Sequence, residues 1–321
     1  MTLVNGMFRV APLAAMLMAV ADAGAEATGA SAAVPASEVA PKRLKVLMIG
    51  NSFSVCLLKE MPALAKELGL ELDLCSLYIG GCSLERHAEN IQAPETNPYD
   101  VAWSYTSVER GKEPIMSAIA HGPDGKGSKG NIPSMLAADK WDVVTIQQAS
   151  HQSWKPESYE PFGTEVLDAI ARLAPQAKVY VQQTWSYTPW DGRLANWGID
   201  QNEMFKKLEA AYASFAAAHS LPIIRTGEAV QLYRAELPVV YGERSNNDVC
   251  GTDTFEEKDG VWKHVGDPFH FNSRGHYLQA LVWVAKLYGA DVTKATAVPK
   301  SLADTPECAT LMREIAMRVA K

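Results

Sequence analysis

Two periods of apolar spacing alternate along most of the chain. Residues 44–50 are a short apolar run ending in Gly50, the pattern of a strand buried on both faces. A helical stripe follows through Leu57, Leu58, Met61, Leu64, Ala65 and Leu68, and Gly69 stops it. Residues 70–79 alternate as a second strand, and 99–106 read as another. Gly, Lys, Pro and Asp across 109–131 predict an irregular insertion, and 132–139 a short helix. Residues 141–148 read as the third core strand. Beyond it come a helix over 161–173, a strand over 178–184, a long amphipathic helix over 199–219, a short strand over 221–225 and a final core helix over 273–287. Strands thus alternate with helices from 44 to 225, which predicts an α/β fold with a parallel sheet covered on both faces. No composition shift divides 42–321, so one domain is expected. Ligands bind beyond the carboxyl ends of strands in such sheets, so polar residues there are the first candidates for chemistry.

Composition narrows the function classes. The chain has 321 residues with 30 Lys+Arg against 37 Asp+Glu, a net charge of −7, which argues against a nucleic-acid binder. Residues 1–25 read as a secretory signal peptide: Arg9, an apolar run over 10–21, then Ala23-Gly24-Ala25, with Ala21-Asp22-Ala23 as a second cleavage candidate. A membrane anchor is the competing reading, but the run is short for a bilayer and no other stretch is longer, so no stable membrane insertion is expected. Residues 26–41 read as a flexible leader. The expected location is therefore secreted or periplasmic. Cys56, Cys75, Cys82, Cys250 and Cys308 form an odd set, so at least one stays outside any intrachain disulfide.

Four strand or helix ends carry the chemistry-bearing residues. Gly50-Asn51-Ser52-Phe53-Ser54 joins the first strand to a helix, where a hydroxyl meets free N–H groups and the positive end of the helix dipole. Ser52 there is either a nucleophile beside its own oxyanion donors or a helix cap. Gly80-Gly81-Cys82-Ser83 ends the second strand, and Gly81 N–H is an oxyanion donor or part of a plain turn. Gln147-Gln148-Ala149-Ser150-His151 ends the third, with either glutamine an amide donor or a structural group. Asp267-Pro268-Phe269-His270 precedes the last helix. His270 can take a serine proton while Asp267 fixes its tautomer; as a turn residue and a buried histidine they would do neither. His264, Asp267, His270 and His276 lack the i, i+4 pair of helical zinc sites, so no metal is expected.

Together these blocks resemble the SGNH (GDSL-like) hydrolase superfamily. Gly50-Asn51-Ser52-Phe53-Ser54 is similar to its first block, with Asn51 where Asp is common. Gly80-Gly81 is similar to the second and Asp267-Pro268-Phe269-His270 to the last. The resemblance spans roughly 44–290, most closely to an uncharacterised branch. It implies a flavodoxin-like three-layer α/β/α sandwich and ester hydrolysis without a cofactor. It also implies a catalytic triad of Ser52, His270 and Asp267. The block that usually supplies an Asn to the oxyanion hole departs here, since no Gly-x-Asn-Asp occurs. Gln148 sits where some carbohydrate acetylesterases use Gln-Gly-Glu, so the implied oxyanion hole is Ser52, Gly81 and Gln148, with Gln147 as the alternative.

For the substrate, Trp103, Tyr105, Trp154, Tyr159, Trp185, Tyr187, Trp190 and Trp197 fall at or after strand ends, as a stacking platform or as loop packing. Asn51 and Trp185 are the expected substrate contacts. An exported deacetylase of carbohydrate O-acetyl groups is the favoured expectation. A glycan-binding protein on the same fold, a lipase and an acyltransferase are the alternatives.

Overall fold

Arg43–Gly50 form β1, and its residues Val46, Leu47, Met48 and Ile49 are all buried, so both of its faces are covered. This computed structural model describes residues 42–94, 99–106, 129–237, 247–251, 255–264 and 267–321. The expected signal peptide and leader lie outside those residues, as does most of the expected insertion over 109–131.

The order along the chain is β1, α1 (Ser52–Val55), α2 (Leu57–Glu67), β2 (Glu71–Tyr78), α3 (Leu84–Gln92), β3 (Tyr99–Thr106), β4 (Lys129–Gly130), α4 (Ile132–Ala138) and β5 (Val143–Ile146). Next come α5 (Phe162–Leu173), β6 (Lys178–Gln182), α6 (Gly192–Trp197), α7 (Gln201–Ala218), β7 (Ile223–Ile224) and α8 (Thr226–Glu236). The hairpin β8 (Phe255–Lys258) and β9 (Val261–His264) precedes α9 (Ser273–Tyr288) and α10 (Pro306–Val319).

The main sheet runs β4-β3-β2-β1-β5-β6-β7. Five neighbouring strands, β2 to β7 through β1, are parallel, while β3 and β4 add antiparallel pairs at one edge. Helices α2, α9, α10 and α8 pack together on one face, and α3, α5 and α4 on the other. The α/β sandwich is the expected one; the antiparallel edge is the departure from an all-parallel sheet. The chain leaves β1 toward β2 on one side and returns to β5 on the other. That reversal opens a crevice at the carboxyl ends of β1, β2 and β5, where ligands bind in doubly wound sheets.

Several elements were not visible in the apolar pattern. The helix α3 buries Leu84, His87, Ala88 and Asn90, a face too polar to read as a stripe, and Ser83 caps it by accepting from Arg86 N. The expected single helix after β1 is two helices broken at Cys56. The expected third strand stops at Ile146, leaving Gln147 and Gln148 in the turn beyond it. Among the five cysteines no disulfide forms, and four are buried.

Candidate active site

The tip of β1 is held by an amide network below the surface. Asn51 is buried, and its Oδ1 accepts from Phe53 N at 3.0 Å and from Gln147 Nε2 at 2.6 Å. Its Nδ2 donates to Cys82 O at 2.9 Å, tying the β1 turn to the β2 turn. Asn51 is thereby the N-cap of α1, a cap that side-chain oxygens of Asn favour. Phe53 O accepts from both Gln182 Nε2 and Gln279 Nε2 at 2.9 Å. Gly50 is required by close approach: a Cβ there would sit 2.4 Å from Ser54 Oγ. Gly81 has φ of +63°, a backbone shape that glycine adopts without penalty.

On this base stands Ser52, the first residue of α1, partly exposed. Its Oγ lies 2.7 Å from His270 Nε2. His270 Nδ1 is in close hydrogen-bond contact with Asp267 Oδ2. Asp267 Oδ1 in turn accepts from Phe269 N at 3.1 Å and His270 N at 3.3 Å, so the acid braces the loop that carries the base. Asn272 ends that loop by capping α9 through Arg274 N and Gly275 N, and its Nδ2 reaches Asp248 O at 2.8 Å. The structure therefore brings together Ser52, His270 and Asp267 from opposite ends of the chain, in the relay order a nucleophile, base and orienting acid require.

Ser52 and His270 open into a cavity of about 430 Å³ that also meets Gly80, Gly81, Tyr187 and Arg193, with Asp267 behind the base. Ser150 Oγ and Tyr187 OH are hydrogen-bonded at 2.8 Å on its wall. Burial pushes the Tyr187 phenol up to about 12, so it stays protonated at neutral pH. Burial, then the charges of Lys155 and Arg193, pull His151 below its ordinary value, which keeps it neutral there. A second cavity of about 530 Å³, lined by Trp154, Lys155 and Lys207, lies apart from these groups and holds no part of the relay. Among the described residues, no cluster of three or more His, Cys, Asp or Glu has metal-site geometry, and no helix is long and apolar enough to cross a membrane.

Two expected site residues, Gln148 and Trp185, lie away from the cavity lining, and a third, Asn51, has its amide engaged by the protein. Gln148 is fully buried, its Nε2 donates to Ser158 O at 2.7 Å and its Oε1 accepts from Leu84 N and Ala149 N. With its amide spent on the 158 turn and on α3, it has no donor for an oxyanion. Gln147 points inward to Asn51, so it does not replace Gln148. Trp185 is also fully buried, stacked between Phe53 at 4.1 Å and Phe271 at 3.5 Å, with its Nε1 donating to Phe269 O. It packs the loop beneath the base rather than meeting a substrate. Asn51 borders the cavity, but its side-chain amide is engaged with Cys82 O, Phe53 N and Gln147 Nε2.

Of the other aromatics, Tyr159 is buried, Trp154 lines the second cavity and Tyr187 the first, and Trp197 packs against both of those rings; the side chains of Trp103 and Tyr105 lie outside the described residues. Sequence reasoning missed Arg193, Ser150 and His151. The last two follow directly on the third strand's end, and that position was the available signal.

Residues 45–317 match the sequence model of a family described as "Domain of unknown function (DUF4886)". No curated protein matches the chain. A crystal structure of a DUF4886 family protein from Bacteroides uniformis is similar, at 24% identity and a TM-score of 0.65, over 86% of this chain and 94% of that one. That likeness shows the fold. Hydrolases of the SGNH/GDSL kind recur among more distant matches. A lipase/acylhydrolase from Enterococcus faecalis also matches, at 14% identity and a TM-score of 0.42, over 77% of this chain and 96% of that one. A family 3 carbohydrate esterase from Clostridium thermocellum matches at 12% identity and a TM-score of 0.38, over 76% and 94%.

Proposed function

The chain belongs to the DUF4886 family, and on the geometry of its site we propose that it is a serine ester hydrolase that removes small acyl groups, acetyl above all, from a carbohydrate. The observation that carries this reading is the unbroken relay from Ser52 Oγ through His270 to Asp267. A serine that merely capped a helix has no need of a histidine 2.7 Å from its oxygen, braced in turn by a carboxylate.

In this reading Ser52 Oγ attacks the ester carbonyl and His270 Nε2 takes its proton. Asp267 holds the Nδ1 tautomer and stabilises the imidazolium. The tetrahedral oxyanion is held by the N–H groups of Ser52, at the start of α1, and of Gly81. Each such donor is worth about 3 kcal/mol in the transition state. His270 then protonates the leaving alcohol, and a water activated by the same imidazole releases the acid from the acyl-enzyme. A cavity of about 430 Å³ with hydroxyls on its wall suits a small acyl group on a polar alcohol better than a long lipid chain. The N-terminal 25 residues, if cleaved on export, would put the enzyme outside the cytoplasm among such polymers.

The test is hydrolysis of p-nitrophenyl acetate, then of acetylated xylan and pectin, by wild type and Ser52→Ala. The wild type should release acetate and the variant lose at least about 10³-fold in kcat. Undiminished hydrolysis by Ser52→Ala would overturn the assignment. Sugar binding without hydrolysis of any ester would make the protein a glycan binder on the same fold.

A further inference from the structure

Arg193 occupies the wall of the catalytic cavity in a fixed pose. It follows Asp191, the N-cap of α6, which accepts from Arg193 N at 2.9 Å. The Asp191 carboxylate also takes the guanidinium: Nε lies 2.9 Å from Oδ1 and Nη2 2.5 Å from Oδ2. The guanidinium plane lies over two rings, with Cζ 3.8 Å from the centre of Phe269 and 4.5 Å from that of Tyr187. Phe269 is the neighbour of the base, its ring 4.2 Å from that of His270.

The pair is asymmetric. The Asp191 side chain is 3% exposed and that of Arg193 36%. The acid is therefore buried beneath, while the cation faces the cavity. Nη1 has no acceptor among the described residues. A guanidinium locked by a fork on one edge and by two rings is preorganised, so binding through its other edge costs little rotamer entropy. Asp191 and Asp267 both attract the guanidinium, but neither meets its Nη1 edge. Asp267 is engaged with His270, and His151 is held neutral.

The geometry points to Arg193 as the anion-binding residue of this cavity, selecting esters whose alcohol part carries a carboxylate, the chemistry of an O-acetylated uronate. This rests on the serine-esterase reading for the ester, and on Arg193 alone for the carboxylate. A single presented cation matches the single charge of a carboxylate, whereas a phosphate monoester brings up to two.

Binding and turnover are read separately. In calorimetry with unacetylated oligomers, trigalacturonate should bind the wild type at least about 10-fold more tightly than xylotriose does, a preference that weakens with added salt. In Arg193→Met that preference should disappear, and in Arg193→Lys it should return in part. Because Arg193→Met strands a buried Asp191, the double variant Asp191→Asn/Arg193→Met is measured beside it, with melting temperatures for each. In turnover, the ratio of kcat/KM on acetylated polygalacturonate to that on acetylated xylan should fall at least about 10-fold in the double variant, mainly through KM. Equal binding of the two oligomers by the wild type, or a preference that survives loss of Arg193, would overturn the inference. Absence of hydrolysis of every ester would overturn the esterase reading instead, and the calorimetry would still decide the role of Arg193.

Discussion

Replacing Asn51 tests whether the network below the nucleophile sets its position. Asn51→Ala removes three buried hydrogen bonds: those from Phe53 N and Gln147 Nε2 to Oδ1, and that from Nδ2 to Cys82 O. It leaves Phe53 N without its cap. It also leaves the Gln147 amide with neither end bonded, because Gln147 Oε1 is already buried without a partner. Three bonds at about 1 kcal/mol each, with an added cost for stranded polar groups, give a loss of roughly 3–5 kcal/mol. For a chain of this size that is a fall in Tm on the order of 10 °C. Misplacement of Ser52 by about 1 Å should cost about 10²-fold in kcat. Asn51→Asp keeps both acceptor bonds but sets a buried carboxylate oxygen against Cys82 O, so its stability should fall while kcat is better kept than in Asn51→Ala. Denaturant unfolding and p-nitrophenyl acetate kinetics on the three proteins check this. An Asn51→Ala protein as stable as wild type, or one with unchanged kcat, would refute the role assigned to the network.

Two further outcomes follow from buried groups. Gln148→Ala should lose roughly 2–4 kcal/mol of stability through its bonds to Ser158, Leu84 and Ala149, with kcat falling less than about 10-fold; a fall of 10²–10³-fold would return it to the oxyanion hole. His87 is buried with Nδ1 at 3.5 Å from Cys82 Sγ, and burial, then the charge of Arg86, pulls its value down to about 3. Below its ordinary value near 6.5 the unfolded chain takes a proton that the folded one refuses, so stability falls as pH drops through the window from about 6.5 to 3. The loss is on the order of 2–3 kcal/mol at pH 4.5, and urea unfolding of wild type and His87→Gln at pH 7 and 4.5 reads it. An identical pH dependence in the two proteins would count against it.

The sandwich, and the three residues that the fold brings into contact, Ser52, His270 and Asp267, were legible in the amino-acid pattern. Buried parallel strands must be apolar on both faces, so β1 and its neighbours show as runs, and turn glycines punctuate them. Ser52, Asp267 and His270 stood out because each follows or precedes such a run with the residue types that acyl transfer needs. Helix α3 stayed hidden because its buried face carries His87 and Asn90, and α6 because a single turn and a half offers no period to count.

The partners of the remaining polar residues depend on contacts across the fold. Gln148 and Gln147 have the same donors in sequence whether they face a cavity or a neighbouring turn. The end of β5 at Ile146 releases them from strand alternation, and the orphan N–H groups of Leu84 and Ala149 and the carbonyl of Ser158 claim one, while Asn51 claims the other. Trp185 follows the same logic, drawn inward between two rings it meets only across the fold. Arg193 is the converse. Its neighbour Asp191 is local, but the rings of Tyr187 and Phe269 come from separate loops, and only their meeting turns a rim arginine toward the base. Local pattern records which face is buried; where a polar group finds its partner depends on contacts between residues far apart in the chain.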